Sequence, residues 1–248
     1  MRAGVGHIGS SLSISGILAA LYGGALRGNG PDDPDRDRFI LSKGHAALAL
    51  YAALHLRGWI SPGELNAYCA DGSLLGVHPD SELTGVDFST GSLGHGLPLA
   101  VGAAIAARMQ GSNRRVFVLV SDAECNEGSL WEAVMLAAHH RLSNLIAIVD
   151  LNGQQALGYT RDVISLDPLG AKWQAFGWDV LDVDGHDVPR LVQTIESLPS
   201  RAQAPHALIA RTVFGHGVSY MQSQIKWHYL PMSQSDYEVA LNDIESLQ

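Results

Sequence analysis

Two apolar runs, VFVLV at 116–120 and LIAIV at 145–149, are built almost wholly from Val, Ile and Leu, with no polar residue in alternation. A strand with one wet face alternates; runs like these suit parallel strands covered on both faces. Parallel neighbours need a crossover, and the segment between the runs supplies one. Leu130, Val134 and Ala138 recur at fourfold spacing beside Trp131 and Met135, which makes one apolar helical face. The unit is strand, helix, strand, right-handed by default. Two further runs, WDVLDV (178–183) and ALIARTV (207–213), read as buried strands of the same kind.

Helical patterns fall at 12–26, 45–57, 94–109, 187–197 and 235–247. Another at 61–69 opens with Ser61 and carries Glu64 three residues on, a capping box. The sum is a doubly wound, mostly parallel α/β sheet with helices on both faces. DDPDRD (32–37) and LPMSQSD near the end read as loops. A chain of this length can bury one large core or two small ones; with no repeat, low-complexity tract or clear linker, residues 1–248 read as one domain.

Sixteen basic against 25 acidic residues give a net charge of −9, so no basic surface offers itself to nucleic acid or an anionic membrane. An anionic ligand must be held locally. Cys69 and Cys125 are too few for a disulfide framework and suit a reduced, cytoplasmic setting. The N-terminal MRAGVGHIGSSLSISG lacks a basic region ahead of its apolar part, and Gly and Ser break that part, so neither a signal peptide nor a membrane span is read there.

The first run ends in SDAECNEG, placing Asp122 at its carboxyl end, and Asn152 follows the second run 30 positions later. Ligands of open α/β sheets bind outside those ends. A carboxylate, an amide oxygen and a nearby main-chain carbonyl form a hard, all-oxygen set, which suits Mg²⁺ or Ca²⁺ rather than zinc. An Asn-Gly pair alone is more often a turn; its place after a strand gives it weight. Glycine-rich segments with a histidine recur along the chain: GVGHIGSS with His7, SKGHA with His45, TGSLGHG with His95, GVHP with His78 and GHGV with His216. KWH adds His228. Glycine lets backbone N–H groups approach a ligand, and imidazoles bind phosphate or sugar oxygens without a fixed charge.

The SDA motif with its following Asn resembles the thiamin diphosphate motif, usually GDG and a later Asn, in the form found in transketolases. GHIGSSLS, DRFILSKGHAALALYAALHLRG, GVHPD, STGSLGHGLPLAVGAAIA, NEGSLWEAVMLAAHHRLSNLIAIVDLNG, DGHDV and GVSYMQSQIKWH resemble transketolase N-terminal segments, in transketolase order, over nearly the whole chain. The resemblance implies the diphosphate-binding domain of the thiamin-diphosphate-binding fold. It implies that Asp122, the Asn152 side chain and the Gln154 carbonyl bind Mg²⁺, for which Ca²⁺ or Mn²⁺ can substitute. His45 and His228 would contact the diphosphate or the reacting centre, and His7 and His78 the donor's hydroxyls and carbonyl. The backbones of Gly91 and Leu93 would touch the aminopyrimidine ring, Ala123 would lie by the diphosphate, and Glu127 and Glu132 match interface glutamates. Glu127 would also join the chain of bonds to the cofactor. For Glu132 the plain alternative is an acidic residue complementing its helix dipole.

Ser121 and Ala123 depart from the family's glycines, and a Cβ at 123 is costly only where φ is positive. Leu157 replaces an Asp, WHYL differs from the single-chain enzymes, and His95 has no assigned role. The helix that precedes GVGHIGSS in the family is mostly missing, which reads either as a fragment or as a shortened first helix. No counterpart of the pyrimidine-binding domain, with its glutamate, or of the C-terminal domain is seen. The resemblance is therefore to the N-terminal subunit of a split transketolase, active only with a C-terminal partner chain as a heterotetramer, two of each, on a small ketose donor. A 1-deoxyxylulose-phosphate-synthase-like or 2-oxoacid-dehydrogenase-like subunit shares the chemistry, but a pyruvate-derived unit has no hydroxyl needing His7, His78 and His228. A cofactor-free scaffold paralogue is the rival that SDA keeps in play. A nucleotide-binding domain ranks lower, since GxxxxGK[ST] is lacking and GVGHIG follows no strand.

Overall fold

The computed structural model describes residues 3–199 and 203–246. The chain enters through α1 (Ile8–Ser13) and α2 (Ser15–Ala20), the latter running into a π-helical turn at Leu21–Ala25. Strand β1 (Arg38–Leu41) follows, then α3 (Ala47–Leu56), α4 (Pro62–Asn66) and α5 (Gly96–Met109). The central unit is β2 (Val116–Ser121), α6 (Gly128–His139) and β3 (Leu145–Leu151). A short hairpin, β4 (Gln154–Gln155) with β5 (Gly158–Tyr159), leads through α7 (Thr160–Val163) and α8 (Leu169–Ala175) to β6 (Asp179–Asp184). Helix α9 (Val188–Ser197), β7 (His206–Arg211) and α10 (Gln234–Glu245) complete the order.

Five strands form one parallel sheet in the order β1-β2-β3-β7-β6. Alternate residues of each central strand enter opposite cores. Phe117, Leu119, Ile146, Ile148 and Leu208 meet Leu18, Leu54 and Leu191 from α2, α3 and α9. Val116, Val118, Val120, Leu145 and Val149 meet Val101, Val134 and Trp173 from α5, α6 and α8. Both faces of β2 and β3 are therefore dry, which is why their sequences show no alternation.

The sequence reading needs correction at several places. It assigns no strand at Arg38–Leu41, where only four residues separate the DDPDRD loop from SKGHA, yet β1 forms a sheet edge. It expects 178–183 to be buried on both faces, but β6 is the other edge, with Asp179, Leu181, Asp182 and Asp184 exposed. Charge on an edge strand blocks pairing with a further chain, and here Asp182 reaches across to Arg211 at 2.6 Å. The expected helix 12–26 starts four residues earlier and breaks at Ile14, beside Ser13, whose hydroxyl donates to Ser10 O and to Asp150. The SDA motif opens a short 3₁₀ turn, Ala123–Asn126, before α6 begins.

Helices α7 and α8 and the β4–β5 hairpin have no counterpart in the sequence reading; the boundaries of the other expected elements move by one to three residues. The Ser61–Glu64 capping box makes both its bonds, at 3.2 and 2.8 Å. Ser233 and Asp236 form a second box at the start of α10, and residue 247 of the helix expected there lies outside the described residues.

A close approach fixes how α5 meets the SKGHA loop. A Cβ on Gly96 would lie 2.2 Å from Ser42 Oγ and 2.7 Å from its Cα, whereas one on Gly102, in the same helix, meets nothing within 4 Å. Gly96→Ala is therefore expected to lower unfolding free energy by about 1–3 kcal/mol, and Gly102→Ala to raise it by about 0.5–1 kcal/mol. Chemical denaturation of the two variants checks this; equal effects would contradict the packing described.

Candidate active site

Strands β2 and β3 are in register, with Ser121 opposite Asp150, so the residues that follow each strand emerge side by side. The Asp122 amide donates to Asp150 O at 3.1 Å. The Asp122 carboxylate accepts from the Gly153 N–H at 2.7 Å and from the Ala123 N–H at 2.8 Å. Gly153 has φ +74°, the left-handed conformation that turns its amide back toward Asp122. Asn152 Oδ1 accepts from the Gln154 N–H at 2.9 Å. Asp122, 30 positions before Asn152, thus shares one loop cluster with Asn152 and Gln154 at the carboxyl end of the sheet. Burial, and then the neighbouring Asp150 charge, push the Asp122 carboxyl up to about 7.

Beneath this cluster lies a buried ion pair absent from the expected site. Lys43, 1% exposed, donates to Asp150 Oδ2 at 2.5 Å, and Asp150 is 0% exposed. Ser13 Oγ (2.9 Å) and Asn152 Nδ2 (2.7 Å) donate to the same oxygen, and Thr212 Oγ1 donates to the other. Pairing and full hydrogen bonding are what make so deep a charge tolerable. The sequence carried a signal for it: Asp150 ends its apolar run as Asp122 does, and Lys43 lies within one of the glycine–histidine loops.

Three of the expected histidines converge. The ring centroids of His7 and His45 are 5.2 Å apart, those of His7 and His228 5.6 Å, and those of His45 and His228 5.7 Å. His7 is held at φ +64°, strained for a residue with a Cβ, at the start of α1. Phe214 stacks on His228. Burial pulls the His228 imidazole down to about 4 with help from His7, pulls His45 well below its ordinary value with help from Lys43, and lowers His7 with help from His78 and Lys43. All three are neutral at physiological pH and can exchange hydrogen bonds with oxygen atoms of either polarity.

His78 is exposed beside this group, its carbonyl held by Tyr51 OH at 3.0 Å. A Cβ on Gly91 would lie 3.3 Å from the His78 ring, so the TGSLGHG loop passes close by. His95 is exposed, its Nδ1 3.1 Å from Leu93 O, and His216 stacks on His186 with centroids 3.6 Å apart. Neither belongs to the histidine triangle. Glu127 and Glu132 are exposed at the start of α6 and one turn on.

Sequence reasoning also missed Glu124. Its buried carboxylate accepts from Ser42 Oγ, from the Gly94 N–H at 2.7 Å and from the Ser121 N–H at 3.2 Å. One side chain thereby ties together SKGHA, TGSLGHG and SDA. The departures from GDG carry no backbone strain: Ala123 is not among the residues with positive φ, and Ser121 Oγ accepts from the Glu124 N–H at 3.1 Å.

Fold and site define an open α/β sheet with an oxygen-lined cluster and neutral imidazoles at the carboxyl ends of its strands. A family model described as transketolase, thiamine diphosphate binding domain, matches residues 1–243. An apulose-4-phosphate transketolase subunit of Phocaeicola vulgatus is 40% identical over 98% of this chain and 87% of its own length. The 6-deoxy-6-sulfo-D-fructose transketolase subunit SqwG of Clostridium sp. is 38% identical over 98% of this chain and 90% of its own. Among solved structures, the transketolase of Campylobacter jejuni aligns with TM-score 0.91 and 30% identity over 98% of this chain, which spans 40% of that protein. The chain belongs to the transketolase family, as an N-terminal, thiamine diphosphate binding subunit of a transferase. No helix among the described residues is long and apolar enough to cross a membrane.

The raised Asp122 carboxyl has a signed consequence. It titrates near pH 7 when folded and near its ordinary 3.8 when unfolded, so between those values the folded chain holds the extra proton. Its stabilising contribution is full below about 4, falls as pH rises, and is gone above about 7. Asp122→Asn removes this titration. In metal-free buffer the variant's Tm relative to the parent should climb from about pH 4 to about pH 7 and then stay level; a gap independent of pH would contradict the assignment.

Proposed function

We propose that this chain is the diphosphate-binding half of a split transketolase that moves a two-carbon ketol unit from a ketose to an aldehyde acceptor. In this reading residues 1–248 form one domain, and a C-terminal partner chain supplies the pyrimidine-binding domain with its glutamate, in a heterotetramer with two copies of each chain. The observation that carries the reading is the meeting of Asp122, Asn152 and Gln154 at the ends of β2 and β3, near neutral histidines.

The residues fit the group. Asp122, Asn152 Oδ1 and the Gln154 carbonyl offer Mg²⁺ the hard oxygen donors it prefers, and a cation there would draw the Asp122 proton away. Buried polar atoms without a partner among the described residues, His7 Nδ1, His228 Nδ1 and both ends of the Gln154 amide, lie on residues of this cluster and of the histidine triangle. When bound, thiamine diphosphate supplies the electron sink for breaking and making the carbon–carbon bond. His45 and His228 would hold the diphosphate or face the reacting centre, and Ala123 would lie beside the diphosphate. His7 and His78 bind the donor's hydroxyls and carbonyl and move protons there. The backbones of Gly91 and Leu93 would receive the aminopyrimidine ring, on a loop braced by Glu124.

Glu127 and Glu132 face the partner, joined by the exposed Met135 and Leu136 of the same helix. The two relatives named for apulose-4-phosphate and 6-deoxy-6-sulfo-D-fructose support a specialised sugar as substrate. The free thiols of Cys69 and Cys125 support a reduced, cytoplasmic setting. The scaffold reading is disfavoured because the oxygen set is intact and Ala123 needs no positive φ.

The test is native mass spectrometry and ketose cleavage on the chain purified with its partner from its own host. The complex should carry two thiamine diphosphates and cleave donor, the chain by itself should be inactive, and Asp122→Ala should abolish Mg²⁺-dependent cofactor retention while leaving the assembly intact. Cofactor retention unchanged by Asp122→Ala, or donor cleavage by this chain alone, would overturn the reading.

A further inference from the structure

A carboxamide presents oxygen on one side and NH₂ on the other, and a half-turn about its terminal bond exchanges them. At Asn152 that choice decides whether a ligand oxygen or a repelling N–H pair faces a cation. Two bonds of opposite polarity settle it: Nδ2 donates to Asp150 Oδ2 at 2.7 Å, and Oδ1 accepts from the Gln154 N–H at 2.9 Å. The flipped amide would set oxygen against carboxylate and N–H against N–H, so both bonds would be lost.

Asp150 is itself fixed. It lies in β3 with its plane held by Ser13 and Thr212 and its charge balanced by Lys43. The geometry points to Asp150 as a positioning residue that locks the Asn152 carboxamide with its oxygen available to the cation, with Lys43 as its counter-charge. This rests on the reading that Asn152 Oδ1 is a cation ligand. Asp150 touches neither cation nor cofactor; it acts through Asn152, as outer-shell partners do for metal ligands.

Orientation can be separated from charge because an aspartate at 152 presents oxygen either way round. In the two-chain complex at saturating thiamine diphosphate, Mn²⁺ is titrated and the free ion read by electron paramagnetic resonance, with folding followed by circular dichroism. Asp150→Asn should weaken Mn²⁺ binding by about tenfold or more. The same change in an Asn152→Asp background should cost less than about threefold, a coupling that a double-mutant cycle isolates. An equal loss in both backgrounds would assign Asp150 a charge or packing role, and no loss in either would remove it from the site; each overturns the proposal. If Asp150→Asn fails to fold, Thr212→Val frees the carboxylate plane and should give a smaller loss confined to the Asn152 background; equal losses again overturn the proposal. Asp122→Ala in the same titration keeps the two failures apart. Binding that survives it defeats the cation reading itself, whereas binding that depends on Asp122 but shows no coupling defeats only the positioning role.

Discussion

The parallel ladder between β2 and β3 is buried on both faces, and that burial restricts where polar chemistry can occur. Along most of its length neither face holds a charge, because alternate side chains enter one of two apolar cores; the exception, Asp150, lies next to the carboxyl end of β3 and is paired with Lys43. Polar groups are therefore pushed to the strand ends, and the register of Ser121 with Asp150 sets Asp122 beside the Asn152 loop. The oxygen cluster is a geometric consequence of two strands ending level, followed by a turn at Gly153 that aims an amide back at Asp122.

The electrostatics of that end are built around one internal cation. Lys43 reaches the site from the end of β1 and is neutralised by Asp150, while its residual field helps keep His7, His45 and His228 uncharged. Asp122, in contrast, makes no ion pair among the described residues, and its carboxylate accepts from two backbone amides. Its raised carboxyl marks a place where a bound cation would restore the charge balance. In the proposed reading, such a cation is how a chain of net charge −9 would host an anionic cofactor without a basic surface.

Much of this was legible in sequence because the same physics writes both. Dry strands give unbroken apolar runs, so β2, β3 and β7 and the helix α6 between the first two could be read directly. Strand β1 escaped because four residues are too few to show a period, and β6 was misread because Val and Leu between aspartates look buried until the sheet order makes the strand an edge. Asp122, Asn152 and the three converging histidines were visible as polar residues in glycine-rich or strand-end positions. Lys43, Asp150 and Glu124 were not singled out, since their importance lies in burial and mutual contact, which spacing along a chain does not encode. His95 carried the same local signal as His45 yet stands exposed, so a glycine–histidine loop alone does not distinguish the two.

The central claim is that the ends of β2 and β3 hold a divalent cation through oxygens of Asp122, Asn152 and Gln154. Anomalous diffraction from crystals of the two-chain complex grown with Mn²⁺ and thiamine diphosphate tests it most directly. The account predicts a manganese peak bonded to Asp122, to Asn152 Oδ1 and to the Gln154 carbonyl. A peak on other residues, or none at this cluster with the cofactor in place, would contradict it.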